Sequence, residues 1–355
     1  MKKNTYAFLD KLITAISPSG YEDEAARVWQ DEARAAGMET RRDVHGNTDA
    51  ILNPGGTPRV MLSGHYDEIG FLITHIDDDG YCWLGPIGGW DPQIPQGHRV
   101  VIRGRHGHVP GVIGKCPIHL LKPDQRDKVV KLEELWVDIG VKNKAQAEHL
   151  VSIGDPLVLN HCMRRLQDDV VTGRGFDNRA GAFVVLEAAR RLQKKKIAAE
   201  VHAVATVQEE IGLRGARTAG FGIDPQVCIA VDVTFATDHP SMGDAVRREG
   251  KVKIGKGPAL TRGPNINPRL FELLVDTAKK NDIPVQIVAE PLATGTDANA
   301  LQISRAGTAT ALVSIPNRYM HSPCEIVSLG DLEACAELIA HTVARIKPDT
   351  SFVPF

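Results

Sequence analysis

The 355-residue sequence lacks a cysteine framework: its six cysteines are scattered, and none forms a C-x-x-C pair. Such spacing is typical of reduced thiols in a cytosolic protein and not of a disulfide-stabilised secreted domain. It also lacks an apolar run long enough to span a bilayer. Charges interrupt the N-terminal pattern, so the apolar core of a signal peptide is missing. We therefore expect a cytoplasmic protein that does not bind a membrane.

A charge excess is missing as well, since the formal net charge is -2. Surfaces that bind nucleic acid or acidic lipid need a clear basic excess, so neither is expected as a partner. Hydrophobic residues make up 43% and charged residues 24% of the sequence, which is typical of a globular protein. The length is sufficient for two domains.

The pattern of apolar residues divides the chain into two domains. Residues 70–166 contain short apolar runs separated by Gly- and Pro-containing turns, which predict a β-rich domain. On either side, apolar strands alternate with amphipathic helices, as in a sheet with helices on both faces. The predicted fold class is therefore α/β, with a mixed sheet built from residues 1–69 and 167–355. The β-rich domain, residues 70–166, is inserted between them.

Five acidic or imidazole side chains lie at or near predicted strand ends. They are His65, Asp177, Glu210, Asp232 and His321. In open α/β sheets, ligands bind outside the carboxyl ends of the strands. We therefore expect these five side chains to meet in one site.

These residue types suit a site for two divalent metal ions, which needs several ligands and a bridging carboxylate. Carboxylates and imidazoles without a thiolate favour zinc, cobalt or manganese. Asp67, two residues after His65, is positioned to accept the second ring N–H of this histidine and so to fix its tautomer. Of the adjacent Glu209 and Glu210, one can bind metal while the other stays free as a general base.

Each of these residues also has a simpler interpretation. Asp177 could be the N-cap of the following helix, and Asp232 could cap a turn. Asp297 could contact substrate, but an N-cap is at least as good an explanation. A lone buried histidine such as His202 is more often a core residue with satisfied hydrogen bonds than a ligand. Only the combination of five such residues in one chain favours the metal site.

Six segments resemble the M42 family of metallo-aminopeptidases, which includes the tetrahedral and glutamyl aminopeptidases. They are residues 65–70, 176–179, 208–216, 232–234, 295–298 and 320–323. The most specific is the run Gln-Glu-Glu-Ile-Gly-Leu-Arg-Gly-Ala at 208–216. Matches extend in the family's order from about Ser17 to Leu329. The resemblance implies a zinc-peptidase fold and removal of N-terminal residues from short peptides by a metal-activated water.

The resemblance also assigns roles to individual residues. Asp177 would bridge two ions, zinc or cobalt being the first expectation. His65 and Asp232 would complete one ion's site, and Glu210 and His321 the other's. Glu209 would be the general base.

Further expectations follow from the resemblance. The Asp177–Asn178 peptide is expected to be cis. Residues 70–166 would form a dimerisation domain, and the dimers of such proteins assemble into tetrahedral dodecamers. The choice between dimer and dodecamer, the native metal and the preferred N-terminal residue are not predicted by the sequence.

Two rival functions are compatible with the same residues. A deacylase or a glycan-acting hydrolase could use the same pair of ions, because one fold supports several reactions. A non-catalytic scaffold could keep metals for assembly alone. A free Glu209 counts against the scaffold, since a purely structural metal site needs no base.

Overall fold

A computed structural model describes residues 1–354 of the chain. The helices of this part are α1 (Lys3–Thr14), α2 (Asp23–Ala35), α3 (Lys144–Leu150), α4 (Phe176–Leu192), α5 (Arg214–Ile223), α6 (Ala245–Glu249), α7 (Pro268–Lys280), α8 (Asp297–Leu301) and α9 (Leu329–Val343). The strands are β1 (Glu39–Arg42), β2 (Thr48–Leu52), β3 (Arg59–His65), β4 (Gly70–Ile76), β5 (Cys82–Ile87), β6 (Arg99–Gly104), β7 (Gly107–Gly114), β8 (Trp136–Asp138), β9 (Pro156–Leu159), β10 (Arg164–Arg165), β11 (Val170–Gly173), β12 (Glu200–Thr206), β13 (Val227–Phe235), β14 (Ala259–Arg262), β15 (Gln286–Ala289), β16 (Ala309–Asn317) and β17 (Glu325–Ser328).

An eight-stranded mixed sheet has the order β1-β2-β12-β3-β13-β16-β14-β15. The central strands β12, β3, β13 and β16 are parallel to one another. Antiparallel strands β2 and β14 flank them. Every residue of β12 after Glu200 is buried, as expected for a strand covered by helices on both faces.

Helix α4 covers one face of this sheet and contacts β3, β13 and α9. Fifteen of its 17 residues are buried. Its approach to β3 is unusually close at Gly64, where a Cβ atom would lie 2.5 Å from the backbone carbon of Gly181. The absence of a side chain at Gly64 therefore allows α4 to pack directly beside the strand that ends at His65.

Six strands between Gly70 and Leu159 close into a separate barrel, in the order β4-β5-β8-β7-β6-β9. Its interior is a distinct apolar core that includes Phe71, Val100 and Val137. The predicted fold class is confirmed: a mixed sheet with helices on both faces, and a β-rich unit inserted between its halves. The boundaries 1–69, 70–166 and 167–355 stay a prediction, and Phe355 lies outside the described residues.

The structure corrects the ends of several predicted elements. Strand β13, predicted over 227–231, continues to Phe235 because β16 pairs with it as far as Asn317. Asp232 therefore lies inside a strand and not beyond its end. The helix predicted over 297–305 ends at Leu301. The edge strand β1 was not predicted, since its exposed charged residues show no apolar alternation.

Other expectations concern single residues. His202 on β12 is buried, and its ring nitrogens lie 2.8 Å from Asp49 Oδ2 and 2.8 Å from Glu200 Oε1. It is thus a core histidine with satisfied hydrogen bonds.

All six cysteines are free. Among residues 1–354, no helix combines the length and apolarity needed to cross a membrane.

Candidate metal centre

The fold brings all seven predicted site residues to one end of the large sheet. His65 ends β3, Glu209 and Glu210 follow β12, and Asp232 lies near the end of β13. Asp177 lies at the start of α4, and His321 follows β16. Because β3, β12 and β13 are parallel, their carboxyl ends share one edge, and this arrangement explains the convergence.

Asp177 lies between the two histidines. Its Oδ1 is 3.4 Å from Nε2 of His65, and its Oδ2 is 3.3 Å from Nε2 of His321. Each carboxylate oxygen thus faces a different imidazole, which is the arrangement that a bridging ligand requires. The Asp177–Asn178 peptide is cis, as the resemblance predicts. The Asn178 amide donates to the carbonyl of Val231, at 2.7 Å, and so ties the start of α4 to β13.

Two groups of potential ligand atoms share His65. One group contains His65, Glu209 and Asp232, and the other contains His65, Asp177 and Glu210; within each group the atoms lie within 4.8 Å of one another. His321 approaches the second group through Glu210, with 3.3 Å between Nε2 and Oε2. Glu209 Oε2 is 3.7 Å from Nε2 of His65, about as near as Asp232 Oδ1 at 3.8 Å.

The carboxylates of this cluster are crowded and buried. Burial, with the charges of Asp232, Asp297 and Glu210, raises the pKa of Glu209 to about 10. Burial and the charge of Asp177 raise the pKa of Glu210 to about 7. The Oε1 atom of Glu210 is buried without a hydrogen-bond partner. Negative charge confined in this way, with an unpartnered oxygen, is stabilised by a bound cation, so these residues fit a pair of divalent ions.

The histidines and Asp177 stabilise one another's charged forms. Burial opposes protonation of His321, but its contacts with Asp177 and Glu210 outweigh burial and raise its pKa to about 11. Burial likewise opposes ionisation of Asp177. The contacts with His321 and His65 are stronger and hold the pKa of Asp177 below its usual range.

Asp67 supports three residues of the site at once and is fully buried. Nδ1 of His65 lies 3.2 Å from both the backbone carbonyl oxygen and Oδ1 of Asp67, so this residue orients the ring. It also accepts the backbone N–H groups of Glu209, at 3.1 Å, and Glu210, at 3.2 Å. Ser19 donates its hydroxyl to the same carboxylate. The sequence predicted only the contact with His65.

Two supporting groups were missed by the sequence analysis. The buried carboxylate of Glu325 accepts the backbone N–H of Asp177, at 3.0 Å, and that of His321, at 3.1 Å. Burial and the charge of Asp177 raise its pKa well above the ordinary value. The carbonyl of Gly89, in the inserted segment, lies 2.8 Å from Nδ1 of His321. The sequence places Glu325 only four residues after His321, and this spacing could have indicated a supporting role. A contact made by a backbone carbonyl, in contrast, leaves no mark on the residue type.

Non-glycine residues in the left-handed region lie beside the site. Gln208, which precedes Glu209, has φ of 52°, and His321 has φ of 59°. Such conformations cost about 1–3 kcal/mol each and persist only where the surroundings stabilise them. Here the hydrogen bonds that Asp67 and Glu325 accept hold the two loops in place.

Asp297 does not serve as the N-cap of α8, because Thr296 occupies that position. Its side chain is buried instead, and Oδ2 accepts the hydroxyl of Thr206 at 2.7 Å. Burial raises the pKa of Asp297 to about 6. The N-cap expectation is therefore wrong, and contact with substrate stays a prediction.

A cavity of ≈ 480 Å³ opens onto the cluster. Six of the predicted site residues line it, namely His65, Asp177, Glu209, Glu210, Asp232 and His321. Two groups of potential ligand atoms beside an open cavity are an arrangement that a metal-dependent hydrolytic centre requires.

Comparison with known proteins gives matches along nearly the whole chain. The family model described as M42 glutamyl aminopeptidase matches residues 46–338. Lysyl aminopeptidase of Pyrococcus furiosus is 38% identical over 347 residues, which cover 97% of this chain and 98% of that protein.

Solved structures of similar proteins give the same result as the sequence comparison. The TET aminopeptidase of a marine sediment Thaumarchaeota archaeon superposes with a TM-score of 0.91 at 34% identity, covering 97% of this chain and 98% of that chain. The TET1 peptidase of Pyrococcus horikoshii, which can assemble into a tetrahedron or a large octahedral shell, has a TM-score of 0.86 at 30% identity. The latter match covers 96% of this chain and 100% of that chain.

Proposed function

Because the chain belongs to the M42 family of peptidases and is a peptide hydrolase, we propose that it removes N-terminal residues at a dinuclear metal site with Glu209 as general base. The observation that carries the proposal is the position of Asp177 between two histidines, with one carboxylate oxygen facing each. The relatives named above are aminopeptidases, so the scaffold alternative is not retained.

In the proposed site, Asp177 would bridge the ions. His65 and Asp232 would complete one ion's ligands, and Glu210 and His321 the other's. The distances from His65 to Asp232 and from His321 to Glu210 support this division. M42 peptidases are metal-dependent in general. Oxygen and imidazole ligands favour zinc or cobalt, with manganese as a further candidate.

When bound, the two ions would supply Lewis-acid polarisation of the attacking water and of the scissile carbonyl. Glu209 is buried at the edge of the cavity, where its carboxylate can take a proton from that water and return it to the leaving amine. For this role the raised pKa of Glu209 must fall towards neutrality. The positive charge of ions bound beside it would lower that pKa. Asp67 holds the Glu209 backbone, so the carboxylate keeps its orientation through the proton transfers.

We also propose that the inserted residues 70–166 carry the contacts between copies of the chain, and that 1–69 and 167–355 form the catalytic unit. Exposed apolar side chains at Ile118 and Leu120 support such a contact. The related TET1 peptidase assembles into closed shells, and we expect dimers that build a tetrahedral dodecamer. Light scattering of the purified protein checks this: a mass of one chain at micromolar concentration would contradict it.

The experiment that tests the function uses aminoacyl p-nitroanilides and their N-acetylated counterparts as substrates. The enzyme is first stripped with a chelator and then supplied with zinc, cobalt or manganese. We expect release that depends on the metal and on a free amino group. Equal release from N-acetylated substrates would instead favour a deacylase or another hydrolase. No release from protein that contains two ions per chain would contradict the proposal.

A further inference from the structure

Building on the proposed function, we infer that the enzyme prefers a basic N-terminal residue, lysine or arginine, and that the carboxylate of Glu290 recognises it. Glu290 directly follows β15, the edge strand of the large sheet, and lines the catalytic cavity. The cavity that borders the metal ligands is thus continuous with the surface that presents Glu290. A substrate whose α-amino group and scissile bond lie at the ligands can extend its first side chain into this space.

The charge of the cavity wall discriminates between side chains. Its lining contains no lysine and no arginine among residues 1–354. Apart from the predicted metal-site residues, its ionisable groups are Glu249 and Glu290. An acidic side chain would therefore meet two further carboxylates and no lysine or arginine of the cavity lining. Like charges in a partly dehydrated cavity repel, so this wall selects against acidic N-terminal residues.

The two carboxylates are not equivalent. Glu249 is already paired, because Nε of Arg248 lies 2.6 Å from its Oε1. Glu290 receives only the backbone N–H of Leu292, at 3.0 Å on Oε1. The nearby Arg262 contacts Glu290 only through its backbone carbonyl, which accepts the Glu290 N–H. Its guanidinium lies over the ring of Phe271, at 5.8 Å, and not against the Glu290 carboxylate. Within residues 1–354, the Glu290 carboxylate is therefore held by one hydrogen bond but has no positively charged partner. The cationic end of a substrate side chain would supply that partner.

The remaining wall suits the stem of a basic side chain. Val288, Leu312 and Met320 line the same cavity with apolar groups. Lysine and arginine bury their methylene stems against such surfaces while the charged end binds a carboxylate. Leucine can use the apolar wall but leaves the Glu290 carboxylate without a partner, which reduces its binding.

The names of similar proteins do not decide this preference. One relative is a lysyl aminopeptidase, whereas the family model is described by glutamyl aminopeptidase. The two preferences need cavities of opposite charge, and the cavity of this chain is acidic.

The test compares kcat/KM for lysyl, leucyl and glutamyl p-nitroanilide in the metal-loaded enzyme. We expect lysyl to be the best and glutamyl the worst of the three. In E290Q, the ratio of lysyl to leucyl hydrolysis should fall about tenfold, the scale of one charge-assisted hydrogen bond. In E290K, the ranking of lysyl and glutamyl substrates should reverse. The matched control is E272Q, which changes an exposed carboxylate on α7 outside the cavity and should leave every ratio unchanged.

Ratios between substrates report only the folded and metal-loaded fraction, so partial misfolding of a variant does not obscure them. A wild-type enzyme that prefers leucyl or glutamyl substrate would overturn the inferred preference. An unchanged lysyl-to-leucyl ratio in E290Q would remove Glu290 from the role. Both results would leave the aminopeptidase proposal intact, whereas absence of hydrolysis of all three substrates would overturn that proposal and this inference together.

Discussion

Glu325 accepts the backbone N–H of Asp177 at 3.0 Å, and this buried hydrogen bond fixes the residue that faces both histidines. The second oxygen of Glu325 accepts the N–H of His321, at 3.1 Å. One carboxylate therefore ties the start of α4 to the loop after β16. The distance between Asp177, the proposed bridging ligand, and His321 depends on this carboxylate, although Glu325 is not itself a proposed ligand.

Replacing Glu325 with Gln should weaken metal binding. An amide has one acceptor oxygen, so one of the two N–H groups loses its acceptor and the segment that carries it can shift. Loss of such a supporting contact typically costs about 10–100-fold in metal affinity or activity. Competition with a chromogenic chelator measures the affinity. E187Q, in which a buried carboxylate of α4 that pairs with Arg190 is changed, is the control and should retain wild-type affinity. Equal affinities in the two variants would contradict the role of Glu325.

Replacing Asp67 with Asn should lower kcat by about 10–100-fold. The carboxylate accepts the N–H groups of both Glu209 and Glu210, and an amide cannot serve both as acceptor while keeping the contact with His65. Steady-state kinetics on one free-amino substrate is the measurement. S19A removes only the hydroxyl that donates to Asp67 and should have a smaller effect. A D67N enzyme with wild-type kcat would show that Asp67 does not position the glutamates.

Replacing Glu209 with Gln should lower kcat by about 10²–10⁴-fold, because proton transfer by a positioned side chain contributes this much. The metal content should stay at the wild-type value, since Glu209 is proposed to be a base and not a ligand. E210Q is the informative comparison, because it should lose metal as well as activity. Elemental analysis alongside kinetics separates the two effects. Substantial turnover by E209Q would exclude Glu209 as the base, and loss of an ion would make it a ligand.

The His202 ion pairs should make stability depend on pH. Burial lowers the pKa of His202, but hydrogen bonds with Asp49 and Glu200 outweigh this and raise it above the ordinary value. The folded protein therefore binds the proton more tightly than the unfolded chain. This stabilisation is complete below the unfolded pKa of about 6.5 and is lost as the pH rises through the higher folded-state pKa.

The corresponding variant is H202N, measured by thermal unfolding. Its Tm should fall below that of the wild type by more at about pH 6 than at about pH 9. The loss at the lower pH corresponds to about 1.5–3 kcal/mol, the scale of a hydrogen bond to a charged group. H106N, at an exposed turn between β6 and β7, should show no such dependence. A constant difference between wild type and H202N across this range would contradict the assigned protonation.

The arrangement of the candidate site was largely predictable because parallel strands end at one edge. His65, Glu209 and Asp232 follow from this rule even though the end of β13 was misplaced. Glu325 and the Gly89 carbonyl were not predicted, because they act on backbone or ring N–H groups that are brought near only by the folded loops. The family resemblance supplied the division of ligands between two ions, which spacing alone does not specify.

The fold was predictable to a similar extent. The strand–helix alternation and the β-rich segment follow from periodicity, and the structure has both. The closed order of the barrel strands, with β8 between β5 and β7, depends on pairings between distant segments that local pattern does not encode. Of the two interpretations of Asp297, the N-cap was wrong because Thr296 takes that position and leaves Asp297 buried against Thr206.

The most direct test of the dinuclear account is the number of metal ions per chain in wild type and D177N. Both proteins are stripped with a chelator, dialysed against zinc or cobalt and analysed by mass spectrometry of the metal, with activity measured on the same samples. The account predicts two ions per chain and full activity for the wild type. For D177N it predicts fewer than two ions and loss of turnover. A wild-type enzyme fully active with one ion, or a D177N enzyme that keeps two ions and its activity, would contradict it.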